Sequence, residues 1–280
     1  MKTMKGVADT LFIPLEARIF VSKRYPEYFY DEKALSLEKH VPDENIRKRS
    51  SEYSFMASAA RYYNMDSMTK AFCLKHGTCN IVMLGAGLDT AYYRLNEPKA
   101  VFYEVDLPEV IETRRILLGE HHNEILVGGD LFDMKWTERI DSTLPTLLIA
   151  SGVFQYFTEE KVVGFIRGIR SGFCVSELVF DATNEAGIRY ANKYVRKTGN
   201  MDARMYFYVN DGAAFARTTG TTLLEERVFF TDARKMLAGR LGLYTRIAMK
   251  IVDDKKRAVL LHLGMTDTRI EKCLTGDGVL

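Results

Sequence analysis

The chain has 280 residues, 47% of them hydrophobic, with 39 basic and 37 acidic side chains and a formal charge of +2. That is apolar material for one large core, or one core with a small cap, and its mixed charge offers no stripe for nucleic-acid phosphates. No apolar run reaches the ~18 residues of a membrane span, and MKTMKGVADTLFIPLEARIF lacks the apolar block and cleavage site of a signal peptide, so a cytoplasmic protein with no membrane partner is expected.

Residues 1–79 read as a mostly helical region that caps the rest. In SSEYSFMASAARYYNMDSMTKAFCLK the residues Phe55, Ala59, Tyr62, Met65, Met68 and Phe72 recur at helical spacing, which predicts one long helix with an apolar side. From Asn80 the pattern changes. IVMLG, AVFYEVD, EILVGGD, TLLIAS and CVSELVFD are short runs rich in Val, Ile, Leu and aromatics, each closed by glycine, serine or aspartate. Helical patterns separate them, among them PEVIETRRILLGEHH and TEEKVVGFIRGIRSG, the second with Thr158 as its N-cap and two acidic residues in its first turn. Such alternation predicts a doubly wound α/β fold with a mostly parallel sheet, over residues 80–280.

Beyond Asp181, NEAGIRYANKYVRKTG and FTDARKMLAGRLG read as helices, and LYTRIAMKIV with RAVLLHLGM as an antiparallel strand pair across DDKK. The stretch 199–230 has no clean period and is expected to be a substrate-cap insertion. Cys73, Cys79, Cys174 and Cys273 form no C-x-x-C pair and read as reduced thiols, so neither a disulfide framework nor a metal site is expected. His121 and His122 have no acidic partner at metal spacing and suit a helix C-terminus. His262 reads as a satisfied strand histidine.

The turn LGAGLDT follows the first strand, where an open parallel sheet receives ligands. Gly85 permits the tight turn and Gly87 removes a Cβ from the path of a ligand. Asp106, about twenty residues on at the end of the next strand, has the spacing to accept hydrogen bonds from ribose hydroxyls. A dinucleotide fingerprint has a third glycine where this chain has Thr90, and Asp89 sets a negative charge where a pyrophosphate would lie. Asp89 suits instead a ligand carrying an ammonium and a sulfonium. Asp106 has a second reading as a cap for the helix beginning near Pro108, and Arg61 one as a surface arginine paired with Glu52 or Asp66.

Taken in order, LGAGLDT, YRL, FYEVDLPEVIETRRILL, GGDLFD and LLIASGVFQYFTEEKVVGFIRGI resemble the leucine carboxyl methyltransferase family, including its bacterial branch of tetracenomycin-type polyketide O-methyltransferases. EARIFVSKRYPEYFYDEKAL and VFDATNEAGIRYANKY extend the resemblance over most of the chain. It implies a class I, Rossmann-like methyltransferase that uses S-adenosylmethionine, with Gly85 and Gly87 beside the methionine part and Asp106 on the ribose. It further implies Asp130 and Leu131 at the adenine, Arg61 on the methionine carboxylate, and Arg18 as a second cation there. Where the carboxyl methyltransferases proper have A-E-G after the fourth strand, this chain has Ala150, Ser151 and Gly152. Ser151 can make one hydrogen bond but cannot counter a positive charge, which points to the small-molecule branch.

The expected activity is O-methylation of a small-molecule hydroxyl or carboxylate, possibilities that include a polyketide-like acceptor. Tyr156, Arg204, Tyr206 and Tyr208 are the polar groups expected around that acceptor, although tyrosines at alternate positions also suit a packed strand face. No general base, oligomeric state or pathway can be read. Two alternatives stay open: a non-catalytic scaffold or sensor that binds S-adenosylmethionine, and a nucleotide-dependent oxidoreductase.

Overall fold

The five apolar runs become β1 (Cys79–Leu84), β2 (Ala100–Asp106), β3 (Glu124–Gly128), β4 (Thr146–Ala150) and β5 (Ser176–Thr183), all mutually parallel in a computed structural model. The structure describes residues 7–41, 50–170, 172, 173, 175–198 and 204–265. Two further strands, β6 (Thr222–Val228) and β7 (Ala258–Gly264), complete a sheet of order β3-β2-β1-β4-β5-β7-β6, with β7 antiparallel to both neighbours. The order reverses between β1 and β4, the place in an open parallel sheet where ligands are received in a crevice beyond the carboxyl ends.

Side-chain alternation divides the core into two layers. Ile81 and Met83 face one layer with Phe102, Leu147, Ile149 and Val179, covered by α1 (Val7–Arg24) and α3 (Glu52–His76). Val82 and Leu84 face the other with Leu148, Phe180 and Leu261, covered by α6 (Glu159–Ile169) and α8 (Gly212–Thr219). The stripe expected on α3 is buried in full, from Phe55 through Ala59, Tyr62, Met65 and Met68 to Phe72. Burying a side chain the size of Phe or Met is worth ~1.5–3 kcal/mol, so packing rather than helix propensity seats α3 on the sheet. Thr158 caps α6 as expected, accepting from Lys161 N at 3.4 Å. No helix among the described residues is long and apolar enough to cross a membrane.

The connecting elements are α2 (Glu32–Ser36), α4 (Ala91–Leu95), α5 (Pro108–Leu118), α7 (Glu185–Thr198), α9 (Thr231–Met236) and α10 (Leu243–Asp254). The last corrects the expected strand pair, because LYTRIAMKIV is a helix. Its residues alternate well enough for a strand, but Thr245, Met249 and Asp253 are the buried ones, four residues apart, and Asp253 accepts from Phe230 N at 3.0 Å. The antiparallel partners of β7 are β5 and β6. Within 199–230, the stretch expected as a cap, residues 212–219 form α8 and residues 222–228 the sheet's edge strand β6. Among the cysteines, Cys73 and Cys79 are buried free thiols, whereas Cys174 and Cys273 lie outside the described residues.

Two buried ionic clusters fix the turn after β1. In one, Arg18 of α1 donates to Asp31, to Thr90 Oγ1 and to Leu88 O, the last at 2.6 Å. Arg94 joins it, meeting Asp31 and Asp89 at 3.0 Å each and gripping Asp66 with two nitrogens at 2.8 and 2.9 Å. Burial works against the Asp31 charge, but Arg94 and Arg18 outweigh it and hold this carboxyl below its usual range. In the other cluster, Arg114 of α5 donates to Asp89 O at 2.6 Å and to Gly87 O at 3.3 Å, and pairs with Glu104 at 2.8 Å and Glu124 at 2.7 Å. Two buried carboxyls thus share one cation. Burial, with Glu124 close by, pushes Glu104 up to about 8.

Each cluster yields an expected outcome. Asp31→Ala leaves Arg18 and Arg94 buried and short of a counter-ion, and is expected to lower stability by roughly 3–5 kcal/mol in urea unfolding; a loss under about 1 kcal/mol would show the cluster to be idle. For Glu104 the folded state holds a proton that the unfolded state releases near 4.5, so ionisation destabilises the fold increasingly from there up to about 8. Glu104→Gln, which mimics the protonated group, is therefore expected to gain on the wild type as pH rises through that window. A constant difference across it would mean that Glu104 is ionised throughout.

Candidate active site

The chain turns sharply beyond β1, with φ of +66° at Gly85 and +51° at Gly87. A Cβ on Gly85 would stand 2.6 Å from Val153 Cγ2, in the loop beyond β4, so glycine is required by that packing. A Cβ on Gly87 would lie 3.3 Å from Leu11 Cδ2, which places α1 directly over the turn. The backbone N–H groups of Gly85 and Ala86 both donate to Val105 O, at 2.8 and 3.1 Å, fastening the turn to the end of β2.

Asp106 sits where β2 meets this turn. Its Oδ2 accepts from Gly87 N and its Oδ1 from Leu107 N, each at 2.7 Å. Leu107, with no side-chain cap, is the N-cap residue of α5, so the capping role considered for Asp106 is replaced by a bridge between two loops. Burial raises the pKa of Asp106, and the two N–H groups partly offset it. A carboxylate has about four lone-pair sites, so two bonds leave it able to accept more donors. One strand over, Asp106 is in register with Gly128, and Gly129 N donates to Asp106 O at 2.9 Å, so Asp130 and Leu131 follow at the same end of the sheet. Asp130 is exposed and caps a short turn through Phe132 N at 2.9 Å; Leu131 O accepts from Trp136 Nε1 at 2.8 Å.

Beyond β4 lies the cation of the site. Arg61 reaches from α3 to Gly152, where a Cβ would stand 2.9 Å from a guanidinium nitrogen and φ is +71°. Its partner is neither Glu52 nor Asp66 but Asp181, whose Oδ2 lies 3.4 Å from Nη1 while its Oδ1 accepts from Gly152 N at 2.6 Å. Burial alone would lower the Arg61 pKa; Asp181, with the Tyr62 and Tyr156 hydroxyls, more than reverses that and keeps it a cation. Arg61 Nε and Ser151 Oγ are both buried and have no hydrogen-bond partner among the described residues. Buried polar atoms are seldom left unpaired, and both belong to residues at or against the loop beyond β4, Ser151 preceding the Gly152 that Arg61 touches.

Arg18, expected as a second cation at the methionine carboxylate, is 1% exposed and gives its guanidinium to Asp31, Thr90, Leu88 O and Pro14 O, contacts that position the turn. Asp89 is likewise neutralised from within, by Arg94 and Arg18, and its side chain caps Ala91 N at 2.9 Å. Tyr156 lies in a short turn (Phe154–Tyr156) after β4, and the chain 204–209 hangs on that turn, with Tyr206 N donating to Gln155 O at 2.7 Å. Phe207 and Val209 point into the core, whereas Arg204, Tyr206 and Tyr208 are exposed, with Arg204 over the Tyr206 ring at 5.3 Å. Two of the histidine expectations hold: His121 Nε2 contacts Tyr93 OH at 2.8 Å and Leu118 O in the last turn of α5, and His262 meets Glu177 at 2.6 Å. Asp181 and Gly152 were not singled out from the sequence. The available signal was an acidic residue ending the fifth strand, read only as a strand terminus.

Comparison with known proteins identifies the family and the fold. Over 199 residues the chain is 25% identical to the tetracenomycin polyketide synthesis O-methyltransferase TcmP of Streptomyces glaucescens, covering 70% of this chain and 74% of that one. It is 27% identical over 150 residues to bovine (Bos taurus) leucine carboxyl methyltransferase 1, covering 41% and 45% respectively. In fold it is similar to a DUF574 family protein of Streptomyces avermitilis (TM-score 0.57, 15% identity, 90% of this chain and 97% of that one). It is also similar to an S-adenosylmethionine-dependent methyltransferase of Mesorhizobium loti (TM-score 0.52, 17% identity, 74% and 99%). A family model described as leucine carboxyl methyltransferase matches residues 4–170, well over half of the sequence, and the chain therefore belongs to this family of S-adenosylmethionine-dependent methyltransferases.

Proposed function

We propose that this chain transfers a methyl group from S-adenosylmethionine to an oxygen of a small molecule, a phenolic hydroxyl of polyketide type or a carboxylate. The observation that carries the reading is the pair of buried, unpartnered atoms Arg61 Nε and Ser151 Oγ at the loop beyond β4. A cation and a hydroxyl there, with a carboxylate at Asp106, match a nucleoside that bears an amino-acid tail. In this reading Gly85 and Gly87 border the methionine part, Asp106 takes the ribose, Asp130 and Leu131 flank the adenine, and Arg61 faces the methionine carboxylate with the planar fork that such groups favour. The bound cofactor supplies a methyl group activated by a sulfonium charge, whose leaving group is a neutral thioether.

What the protein must add is alignment of the acceptor oxygen and exclusion of water. The helical region 1–79, with Leu11 of α1 over Gly87, serves as the cap of a core spanning 80–280. Arg204, Tyr206, Tyr208 and Tyr156 form the acceptor side, where the positive charge of Arg204 favours an anionic acceptor. Oxygen as the target is supported by both named relatives, one an O-methyltransferase and the other a carboxyl methyltransferase. A carboxylate acceptor needs no base, while a phenol gains ~10²-fold or more from one.

Asp106→Ala and Arg61→Ala are each expected to weaken S-adenosylmethionine binding by ~1–3 kcal/mol in calorimetric titration, the range for losing a buried or charged hydrogen bond. Unchanged affinity in both would remove the cofactor from this crevice. Gly152→Ala forces a left-handed residue at a cost of ~1–2 kcal/mol and pushes on Arg61, so it should lower affinity as well as stability. Turnover of phenol and carboxylate panels, followed as S-adenosylhomocysteine release, separates enzyme from sensor: tight binding with no product on either panel would favour the sensor.

A further inference from the structure

We propose that Arg61 and Asp181 form a two-point clamp for a zwitterion, with Arg61 taking the carboxylate and Asp181 the ammonium of the cofactor's amino-acid tail. The inference rests on the cofactor reading above and assigns to Asp181 a role that the sequence did not suggest.

Adjacent parallel strands bring the parts together. Ala150 pairs with Phe180 in register, so Ser151 and Asp181 are the next residues along β4 and β5, at their carboxyl ends. The 2.6 Å bond from Gly152 N fixes one oxygen of Asp181, and the other meets Arg61 at 3.4 Å. Both side chains remain partly open, Arg61 at 15% and Asp181 at 12% exposure. The carboxylate still has lone pairs to offer, and Arg61 keeps Nε unpartnered. A negative and a positive group therefore stand side by side at a crevice edge, each with bonding capacity left.

An α-amino acid carries its ammonium and carboxylate on one carbon, and the adjacent opposite charges of Asp181 and Arg61 complement that arrangement. Ser151 cannot balance an ammonium, whereas Asp181 brings a full charge to the backbone N–H of the very next residue, Gly152. Such contacts gain strength in a partly dehydrated crevice, where screening is weak. A purely structural ion pair, tying α3 to β5, is the competing account. Arg114 shows what one looks like: it also has an unpartnered Nε, but it is fully enclosed and holds two carboxyls and two carbonyls.

The test is calorimetric titration of wild type, Asp181→Asn and Arg61→Gln with S-adenosylhomocysteine, its decarboxylated and deaminated analogues, and methylthioadenosine, which lacks the amino-acid end. Asp181→Asn is expected to lose roughly tenfold or more for the two ligands that keep the ammonium, and nothing for the other two. Arg61→Gln is expected to lose as much for the two that keep the carboxylate, S-adenosylhomocysteine and the deaminated analogue. Asp181→Glu should restore part of the ammonium-dependent affinity. Equal losses for all four ligands, or none, would overturn the clamp and leave a structural pair. Should Asp181→Asn fail to fold, wild type alone still decides, because indifference to removal of the ammonium overturns the proposal. Wild type that binds none of the four would instead sink the cofactor reading itself.

Discussion

The loop after β1 buries backbone carbonyls, and buried carbonyls must find donors. Two arginines from different parts of the chain supply them: Arg18 of α1 on Leu88 O, and Arg114 of α5 on Gly87 O and Asp89 O. Everything around the crevice depends on this. The grip draws the N-terminal helices onto the sheet and fixes where Gly87 N points, which is at Asp106. Buried guanidinium groups need counter-charges in turn, and Asp31, Asp89 and Glu124 provide them at the cost of their own desolvation.

The arginines near the crevice consequently divide by what they hold. Arg18 and Arg94 are spent on protein partners, and Arg114 is sealed among carboxyls and carbonyls, so these three build the platform. Arg61 rests against Gly152 with a single carboxylate beside it and stays partly open. Enclosure and the number of protein groups held, more than the presence of charge, separate the scaffold arginines from Arg61.

That distinction explains what the sequence could and could not reveal. The strands, the α3 stripe, the Thr158 cap and the position of Asp106 follow from local periodicity and turn chemistry, so they were legible. The role of Arg18 was not, because its partners Leu88 and Thr90 lie some seventy residues away and nothing local separates a ligand cation from a buried one. LYTRIAMKIV satisfies both a strand and a helix period, and only tertiary packing of Met249 and Asp253 chooses between them. Asp181 looked like a strand end because its partners, Gly152 N and Arg61, come from β4's loop and a helix over a hundred residues upstream.

The proposed donor and acceptor sides are built on different footings. Residues of the proposed donor side stand at the ends of buried parallel strands, where a shift of one would disturb the core. The proposed acceptor side, residues 204–209, is held by backbone bonds to Gln155 and Thr183 and by the Asn192 side chain, which both donates to and accepts from the Met205 backbone at 2.8 and 2.9 Å. Only Phe207 and Val209 of that stretch anchor it in the core. Its exposed positions can therefore change at little structural cost, as loop positions on a rigid scaffold generally can. In the proposed reading this separation lets one donor site serve acceptors of different chemistry: a fixed charge geometry on the strand ends, and an acceptor wall whose side chains are free to vary.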